Sequence, residues 1–390
     1  MKYFLLLVFP FVFASAKAQN FDILSFGTDS TFDVATWNIE HFPKRGQTTI
    51  NNVAAIIQAL DLDYIGIQEV DDTAAFTTLV NQLEGYDGFY QQNPYAGLGV
   101  IYKTDVLTVN SLFEIYTTNN YWKPFPRAPI VMDVEFMGAQ YILINNHWKC
   151  CGNNILNLSD PDDEETRRWQ ASVLLKEFID TTYPDANVIL MGDLNDQLTD
   201  VPLHNVFQNF LDDSDNFRFV DMDIAEGSSS HWSYPDWPSH LDHILISNEL
   251  FDEMESPGTQ VSCIKVEACW SNGWSGYEYY VSDHRPVALR FKPNSINVGM
   301  AEAHKQDPVY FINYPNPTRD FTVFQWNGFN TDARIEIYNT IGQKVDEIAL
   351  GYGDSEVIWK VGDVPAGIYL ARLVTNSGVL GIRKVIVNGF

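Results

Sequence analysis

The chain is short of cysteine, of positive charge and of long apolar runs, and each shortage narrows what it can be. Only four cysteines occur in 390 residues, Cys150, Cys151, Cys263 and Cys269, and none stands at a Cys/His spacing that a zinc site uses. That excludes a cysteine-based metal centre. In an exported protein the four could instead form disulfides in three connectivities. Cys263 with Cys269 closes a short loop, whereas adjacent Cys150 and Cys151 join each other only with strain, or reach across to the other pair. Lysine and arginine number 24 against 51 acids, for a net charge of -27. Residues 309–390 carry seven basic and eight acidic residues, which leaves 15 basic and 43 acidic to 19–308, a balance of -28. A positive field that would capture long polyanions is therefore missing. This weighs against a nucleic-acid substrate without removing it, because divalent cations or one local basic patch can offset the charge. Apolar runs long enough to span a bilayer are absent. The longest, Tyr3 to Phe13, follows Met1-Lys2 and precedes Ala16-Lys17-Ala18, the charged, apolar and small-residue order of a secretory signal with cleavage expected after Ala18. No transmembrane helix is expected in the mature chain, and no long repeat or low-complexity tract is present.

What remains is ample for folding. Apolar residues make up 45% and aromatics 14% of a chain long enough for two or three domains. Phe32 to Asn38 reads as a strand, Thr48 to Leu60 as a helix, Asp63 to Glu69 as a strand, 73–84 as a helix and Leu98 to Tyr102 as a short strand. Ala128 to Phe136 and Tyr141 to Asn146 are expected to pair as neighbouring strands. Glu164 to Ile179 is the clearest helix, with Trp169, Val173, Leu174 and Phe178 on one expected face. Asn187 to Met191 and Leu241 to Ile246 are strands, and 225–240 is a loop rich in Ser, Pro, Trp and His. Strands dominate with helices between them, which predicts an α/β fold of two packed β-sheets flanked by helices. Residues 292–308 turn polar and poor in aromatics, as a linker does. Beyond them short strands with turn signals predict a small C-terminal β-sandwich. The expected division is a signal at 1–18, a first domain at 19–295, a linker at 296–308 and a tail domain at 309–390, with few contacts across the linker.

The residues that carry chemistry recur at strand ends: Asn38, Glu69, Asp193, Asn195, Asp242, Asp283 and His284. Phosphate ester hydrolysis needs charge neutralisation at the phosphoryl oxygens, an in-line water and a proton for the leaving oxygen. A hard cation such as Mg²⁺ takes carboxylate and amide oxygens and keeps several waters, so this inventory suffices for one. Each residue also has a plainer role open to it. Asn195 and Asp196 are common turn formers, His147 beside Trp148 can be a satisfied half-buried histidine, and Arg127 between prolines can pair with a surface acid. The aromatic group from Trp232 to Tyr280 reads as loop packing before it reads as a base-stacking platform.

The segments TWNIE (36–40), IQE (67–69), FPRAP (125–129), NNH (145–147), GDLND (192–196), LDHI (241–244) and SDHRP (282–286) together resemble the endonuclease/exonuclease/phosphatase superfamily, the fold of deoxyribonuclease I, exonuclease III and the neutral sphingomyelinases. The resemblance spans about 32–292. It implies that Glu69 and Asn38 bind a metal, Mg²⁺ with Mn²⁺ or Ca²⁺ as substitutes, helped by Asp283. By the same resemblance Asp193 and Asn195 position phosphate and water, Asp242 orients His284 for proton transfer, and Arg127, His147 and Tyr95 contact the phosphate. The implied substrate is a phosphodiester, in nucleic acid or phospholipid, with a sugar phosphate hydrolase or a surface binding protein without catalysis as alternatives. YPNPTRD (314–320), IYNTIGQKV (337–345), PAGIYLARL (365–373) and KVIVN (384–388) resemble the C-terminal sorting domain of type IX secretion cargo. That implies the type IX machinery as partner, passage through the periplasm and a secreted or cell-surface protein, expected to be a monomer.

Overall fold

The computed structural model describes residues 19–93, 95–293, 311–326, 333–340, 342–351, 353–375 and 378–388, so the expected signal and linker lie outside the described residues. Twelve strands build the first part: β1 (Phe32–Phe42), β2 (Tyr64–Val70), β3 (Tyr86–Tyr90), β4 (Gly97–Lys103), β5 (Thr108–Glu114), β6 (Ile130–Phe136), β7 (Ala139–His147), β8 (Asn187–Asp193), β9 (Phe217–Phe219), β10 (Asp242–Ser247), β11 (Gln260–Cys263) and β12 (Val287–Phe291). One sheet runs β11-β12-β1-β2-β4-β3 and the other β5-β6-β7-β8-β10-β9. The period-2 geometry of a strand sends alternate side chains to opposite faces. Thus Phe32 and Val34 of β1 enter the core between the sheets, with Tyr64, Leu143, Met191 and Ile244, while Ala35, Trp37 and Ile39 face outward under α1 (Gln47–Leu60) and α2 (Thr73–Val80). The outer face of the second sheet is covered by α3 (Glu164–Thr182). The expected two packed sheets with flanking helices are what the chain forms. Strands β3, β5, β9 and β11 and the short helix Trp274–Tyr280 were not legible, because they are edge strands or brief elements with weak periodicity.

Pairing direction fixes where the site lies. β1 runs parallel to β2 and β7 parallel to β8, so four strands deliver their carboxyl ends to one rim. β10 is antiparallel to β8 with Asp242 opposite Asp193, and β12 is antiparallel to β1 with Val287 opposite Thr36, so both strands start at that same rim. A buried polar seam locks the sheets: Asn145 Nδ2 donates to the carbonyls of Ile67 (3.0 Å) and Gly99 (2.9 Å), and its Oδ1 accepts from Gln68 Nε2 (2.7 Å). Gly66 leaves room for it, since a Cβ there would fall 2.9 Å from Asn145 Oδ1.

Helix α3 buries a face rotated from the one expected, with Phe178 common to both. Glu165, Arg168, Ala171, Ser172, Leu175, Phe178 and Ile179 point inward, while Trp169 and Leu174 are only partly covered. The stripe is displaced because two charged residues are buried at its start, where Asp163 Oδ2 caps the helix by accepting from Thr166 N–H (2.8 Å).

The C-terminal part is an all-antiparallel pair of sheets, β13-β14-β17 and β16-β15-β18-β19, from β13 (Phe311–Tyr314), β14 (Phe321–Trp326), β15 (Ala333–Asn339), β16 (Lys344–Leu350), β17 (Glu356–Lys360), β18 (Gly367–Thr375) and β19 (Gly378–Val387). Phe311, Phe324, Trp326, Ile335, Trp359 and Leu373 fill its own core. The contacts with the first part are more extensive than expected. Ile312, Tyr314 and Val323 on the other face of β13 and β14 join the cluster beneath α3, with the Tyr314 ring 5.0 Å from that of Tyr116. Gln325 Nε2 also donates to the Glu114 carbonyl (2.7 Å). All four cysteines are free thiols. Cys263 packs on the core between the sheets and Cys269 lies in the outer cluster, so the first sheet separates the pair whose sequence spacing made it the simplest bridge. Among the described residues no helix is long and apolar enough to cross a membrane.

Candidate active site

Asn38 ends the regular part of β1, where Asn38 Nδ2 donates to Asp193 Oδ2 (2.9 Å) and to Glu69 Oε1 (3.1 Å). One buried amide therefore ties the rims of both sheets. Glu69 sits at a break in the β1/β2 register with φ +64°, a backbone region that costs a non-glycine residue about 1–3 kcal/mol and persists only when its surroundings hold it. The backbone N–H of His41 does so by donating to Glu69 Oε2 (3.0 Å). Asp193 closes β8 and accepts from Asn195 N–H (3.2 Å), and Asn195, also at positive φ, reaches back to the Trp148 carbonyl (3.3 Å).

Two imidazoles flank this carboxylate. His147 Nε2 lies 3.5 Å from Asp193 Oδ2 and 4.0 Å from Glu69 Oε1, and His284 Nε2 lies 3.8 Å from Asp193 Oδ2 and 3.9 Å from Asp283 Oδ1. The other side of His284 is fixed by Nδ1 to Asp242 Oδ2 at 2.7 Å, and the ring is covered by Tyr234 at 4.8 Å between centroids. Ser233 Oγ accepts the N–H of both Leu241 and Asp242, which anchors the start of β10. Asp283 takes its position from its own N–H, which donates to Glu40 Oε2 (2.9 Å).

The electrostatics separate the two histidines. Burial opposes charge on His284, but the carboxylates of Asp242, Asp193 and Asp283 outweigh it and hold its pKa well above the ordinary value. His147 has the opposite fate: burial, then the Arg127 and His284 charges, pull it well below. Burial pushes Asp193 up to about 7 and Asp283 up to about 6, with His284 acting against the shift in both. The site thus holds one imidazole that keeps its proton and one that does not, on either side of the same acid.

Glu69, His147, Asp193, Asn195, Asp283 and His284 line one cleft of ≈ 590 Å³ together with Tyr234, Trp237, Cys150 and Cys151, and no lysine or arginine lines it. Three carboxylates facing one cleft with no lysine or arginine among its described lining residues, beside the buried and unpartnered Asn146 Oδ1 and Asp242 Oδ1, make a hard, oxygen-rich donor set. Such a set fits a divalent cation of the Mg²⁺ type. A second cluster, Asp221, His240 and His243, lies behind β10, with His243 Nδ1 2.6 Å from Asp221 Oδ2 and its Nε2 2.9 Å from the Asp196 carbonyl. Both ring nitrogens of His243 face acceptors, so this cluster is an internal ion pair beneath the site.

Of the ten residues expected here, eight are brought together. Arg127 stands nearby with Nε spent on the carbonyls of Tyr95 (3.0 Å) and Ala96 (2.7 Å), while its other nitrogens have no protein partner among the described residues. Tyr95 is 56% exposed and its ring rests on Trp122 (5.1 Å), so it contributes a carbonyl to Arg127 and leaves its hydroxyl outside the cleft. Sequence reasoning missed Asn145, Gln68, Ser233 and Tyr234, which act on the site through folding contacts that no local pattern announces.

Residues 35–284 match the model of the Endonuclease/Exonuclease/phosphatase family. The chain belongs to the endonuclease/exonuclease/phosphatase family. Members of this family are hydrolases of phosphoester bonds. Residues 313–388 match the secretion system C-terminal sorting domain, which indicates export to the cell surface or beyond. Among solved structures, D. rerio TDP2 complexed with single strand DNA product is 17% identical with TM-score 0.52, covering 68% of this chain and 100% of that one. A humanized D. rerio TDP2 is 16% identical with TM-score 0.51, covering 67% and 99%. The human Nocturnin catalytic domain with bound sulfate is 18% identical with TM-score 0.48, covering 67% and 93%. At these identities the likeness to the two TDP2 structures is one of fold. No curated protein matches the chain.

Proposed function

We propose that this chain is an exported, Mg²⁺-dependent phosphodiesterase of endonuclease type. The observation that carries the reading is the convergence of Glu69, Asp193 and Asp283 on one cleft, with His284 and His147 on either side of Asp193. Glu69, Asn38 and Asp283 would hold the cation, which when bound supplies neutralisation of the phosphoryl oxygens. Asp193 and Asn195 orient the attacking water. Asp242 fixes His284 through Nδ1, so that its Nε2 faces the reacting centre as the group that moves a proton. His147 and the free end of Arg127 receive phosphate oxygens, and Tyr95 steadies Arg127 through its carbonyl.

A second reading is favoured by charge. The balance of -28 over residues 19–308 repels long polyanions and suits a phospholipid or sugar phosphate better. The mature chain should be assayed with Mg²⁺, Mn²⁺ or Ca²⁺ against single- and double-stranded DNA, RNA, sphingomyelin and a simple phosphate bis-ester. Cleavage of nucleic acid that stops in excess chelator is expected, with a shallow dependence on salt because few phosphates are neutralised by lysine or arginine. Hydrolysis of sphingomyelin alone would move the assignment to the second reading, and full activity in chelator would end the metal mechanism.

A further inference from the structure

Two sulfurs line the cleft and have no part in phosphoester chemistry. Cys150 and Cys151 follow β7, are both exposed, and border the cleft with Glu69, His147 and Asp193. Cys151 Sγ donates to Cys150 Sγ across 2.9 Å, and Lys149 Nζ lies 3.6 Å from the same Cys150 sulfur. Neighbouring side chains in extended chain point to opposite sides. Here the backbone turns at Cys151 (φ +71°) and at Gly152 (φ +116°), and that turn brings the thiols together.

The turn is held from beneath by buried charge. Arg168 Nη1 donates to the carbonyls of Lys149 (2.8 Å) and Cys151 (2.7 Å), and Arg168 Nε donates to Asp196 Oδ2 (2.8 Å). Glu165 Oε1 accepts from the N–H groups of Asn153 (2.7 Å) and Asn154 (2.6 Å), and a Cβ on residue 152 would fall 2.2 Å from it. A left-handed conformation is costly for a residue other than glycine and persists only where its surroundings hold it. Two nearly inaccessible ionic side chains on α3 therefore maintain a strained conformation whose visible product is a pair of facing thiols.

We infer that Cys150 and Cys151 form a dithiol site at the mouth of the cleft, which small-molecule disulfides convert to a vicinal disulfide. Donors converge on Cys150 Sγ, so this sulfur attacks one sulfur of the small disulfide, forms a mixed disulfide and expels the first thiolate. Cys151 then attacks Cys150 Sγ and expels the second. The protein loses two hydrogens, one S–S bond is exchanged for another, and the oxidant leaves as two thiols. The bond to Cys150, with burial adding to it, raises the Cys151 thiol above its ordinary value, in keeping with its reacting second. A bridge between neighbours is strained and so easily reduced, which suits a site that follows the surrounding thiol–disulfide balance. Export carries the chain to where such disulfides persist. Cys263 and Cys269 do not compete: they lie in different clusters and burial raises both thiols, Cys269 to about 11.

The test uses the full chain, reduced with dithiothreitol, exposed to oxidised glutathione, alkylated in denaturant and digested for mass spectrometry. The peptide holding both cysteines should lose two hydrogens, take up no alkyl group, and recover on reduction. Cys151→Ser should instead accumulate a glutathione adduct on Cys150, and Cys263→Ser should change nothing. Two alkylated thiols after oxidation, lasting adducts on both, or a bridge to Cys263 or Cys269 would each overturn the assignment. None of these readouts depends on hydrolysis, so their failure is separable from failure of the enzymatic reading.

Discussion

At the residue scale the site is an arrangement of opposed protonation states, and single substitutions should expose it. His284→Ala removes the ring that Asp242 holds, and turnover should fall by about two to four orders of magnitude. The fold should persist, which circular dichroism checks, with a lower melting temperature because Asp242 loses its buried partner. Glu69→Gln keeps the size of the side chain and removes its charge, so the divalent concentration for half-maximal activity should rise while the fold persists. A pH prediction follows from the raised groups. Asp193, near 7, and Asp283, near 6, bind protons in the folded chain that an unfolded carboxylate near 4 has already released. His284, whose pKa also rises on folding, keeps its proton as pH passes the ordinary histidine range. Both kinds of group contribute stability that is present at lower pH and lost as pH rises through their folded values. The metal-free protein should therefore lose stability between about pH 4 and pH 7 at these sites. Added Mg²⁺ should restore more at pH 8 than at pH 5, since ligands must be deprotonated to bind it. Thermal melts in chelator and in excess Mg²⁺ at the two pH values measure this, and an Mg²⁺ effect that grows toward pH 5 would contradict it.

At the element scale the rim depends on how two sheets are keyed together. Asn145 spends its whole amide on the backbones of Ile67 and Gly99 and on Gln68, and Gly66 is the space it occupies. Gly66→Ala should push that amide out of register and cost about 1–3 kcal/mol of stability. It should also lower kcat more than KM, because Glu69 lies three residues further along the same strand. Denaturant unfolding with steady-state kinetics checks both effects, and an unchanged midpoint would show that the seam yields without loss.

At the scale of the whole molecule, the C-terminal sheets dock on the flank beneath α3. The rim where the acids gather belongs to other elements. Removing everything after Gln306 would expose Tyr116, Tyr121 and Phe178, which Tyr314 and Phe321 now cover. At about 1.5–3 kcal/mol for each large apolar side chain fully uncovered, the truncated chain should melt earlier, by an amount that calorimetry can resolve. Its kcat/KM should nonetheless remain that of the full chain, and in the native host it should stay in the periplasm. Loss of hydrolysis by a folded truncated protein would show that the docked sheets support the segment bearing Arg127.

The sequence by itself determined the family, the two-sheet plan and the order of the strand-end acids, because alternation along a strand and a polar residue at its end are local properties that survive without the rest of the chain. It also marked eight residues that the fold brings together, six lining one cleft and Asn38 and Asp242 bonded to them from behind. Only the tertiary structure decided which face of α3 is inward, since burial of Glu165 and Arg168 depends on partners at Asp196 and in the 149–154 turn. The same holds for the separation of Cys263 from Cys269 by a sheet, and for the tail's apolar contact with the first domain. Protonation followed suit: His147 and His284 look alike in sequence, and their opposite shifts come from what surrounds each ring, burial and then a guanidinium for one, and three carboxylates that outweigh burial for the other. Burial and charge at a distance are sums over the folded chain, and no local stretch contains them.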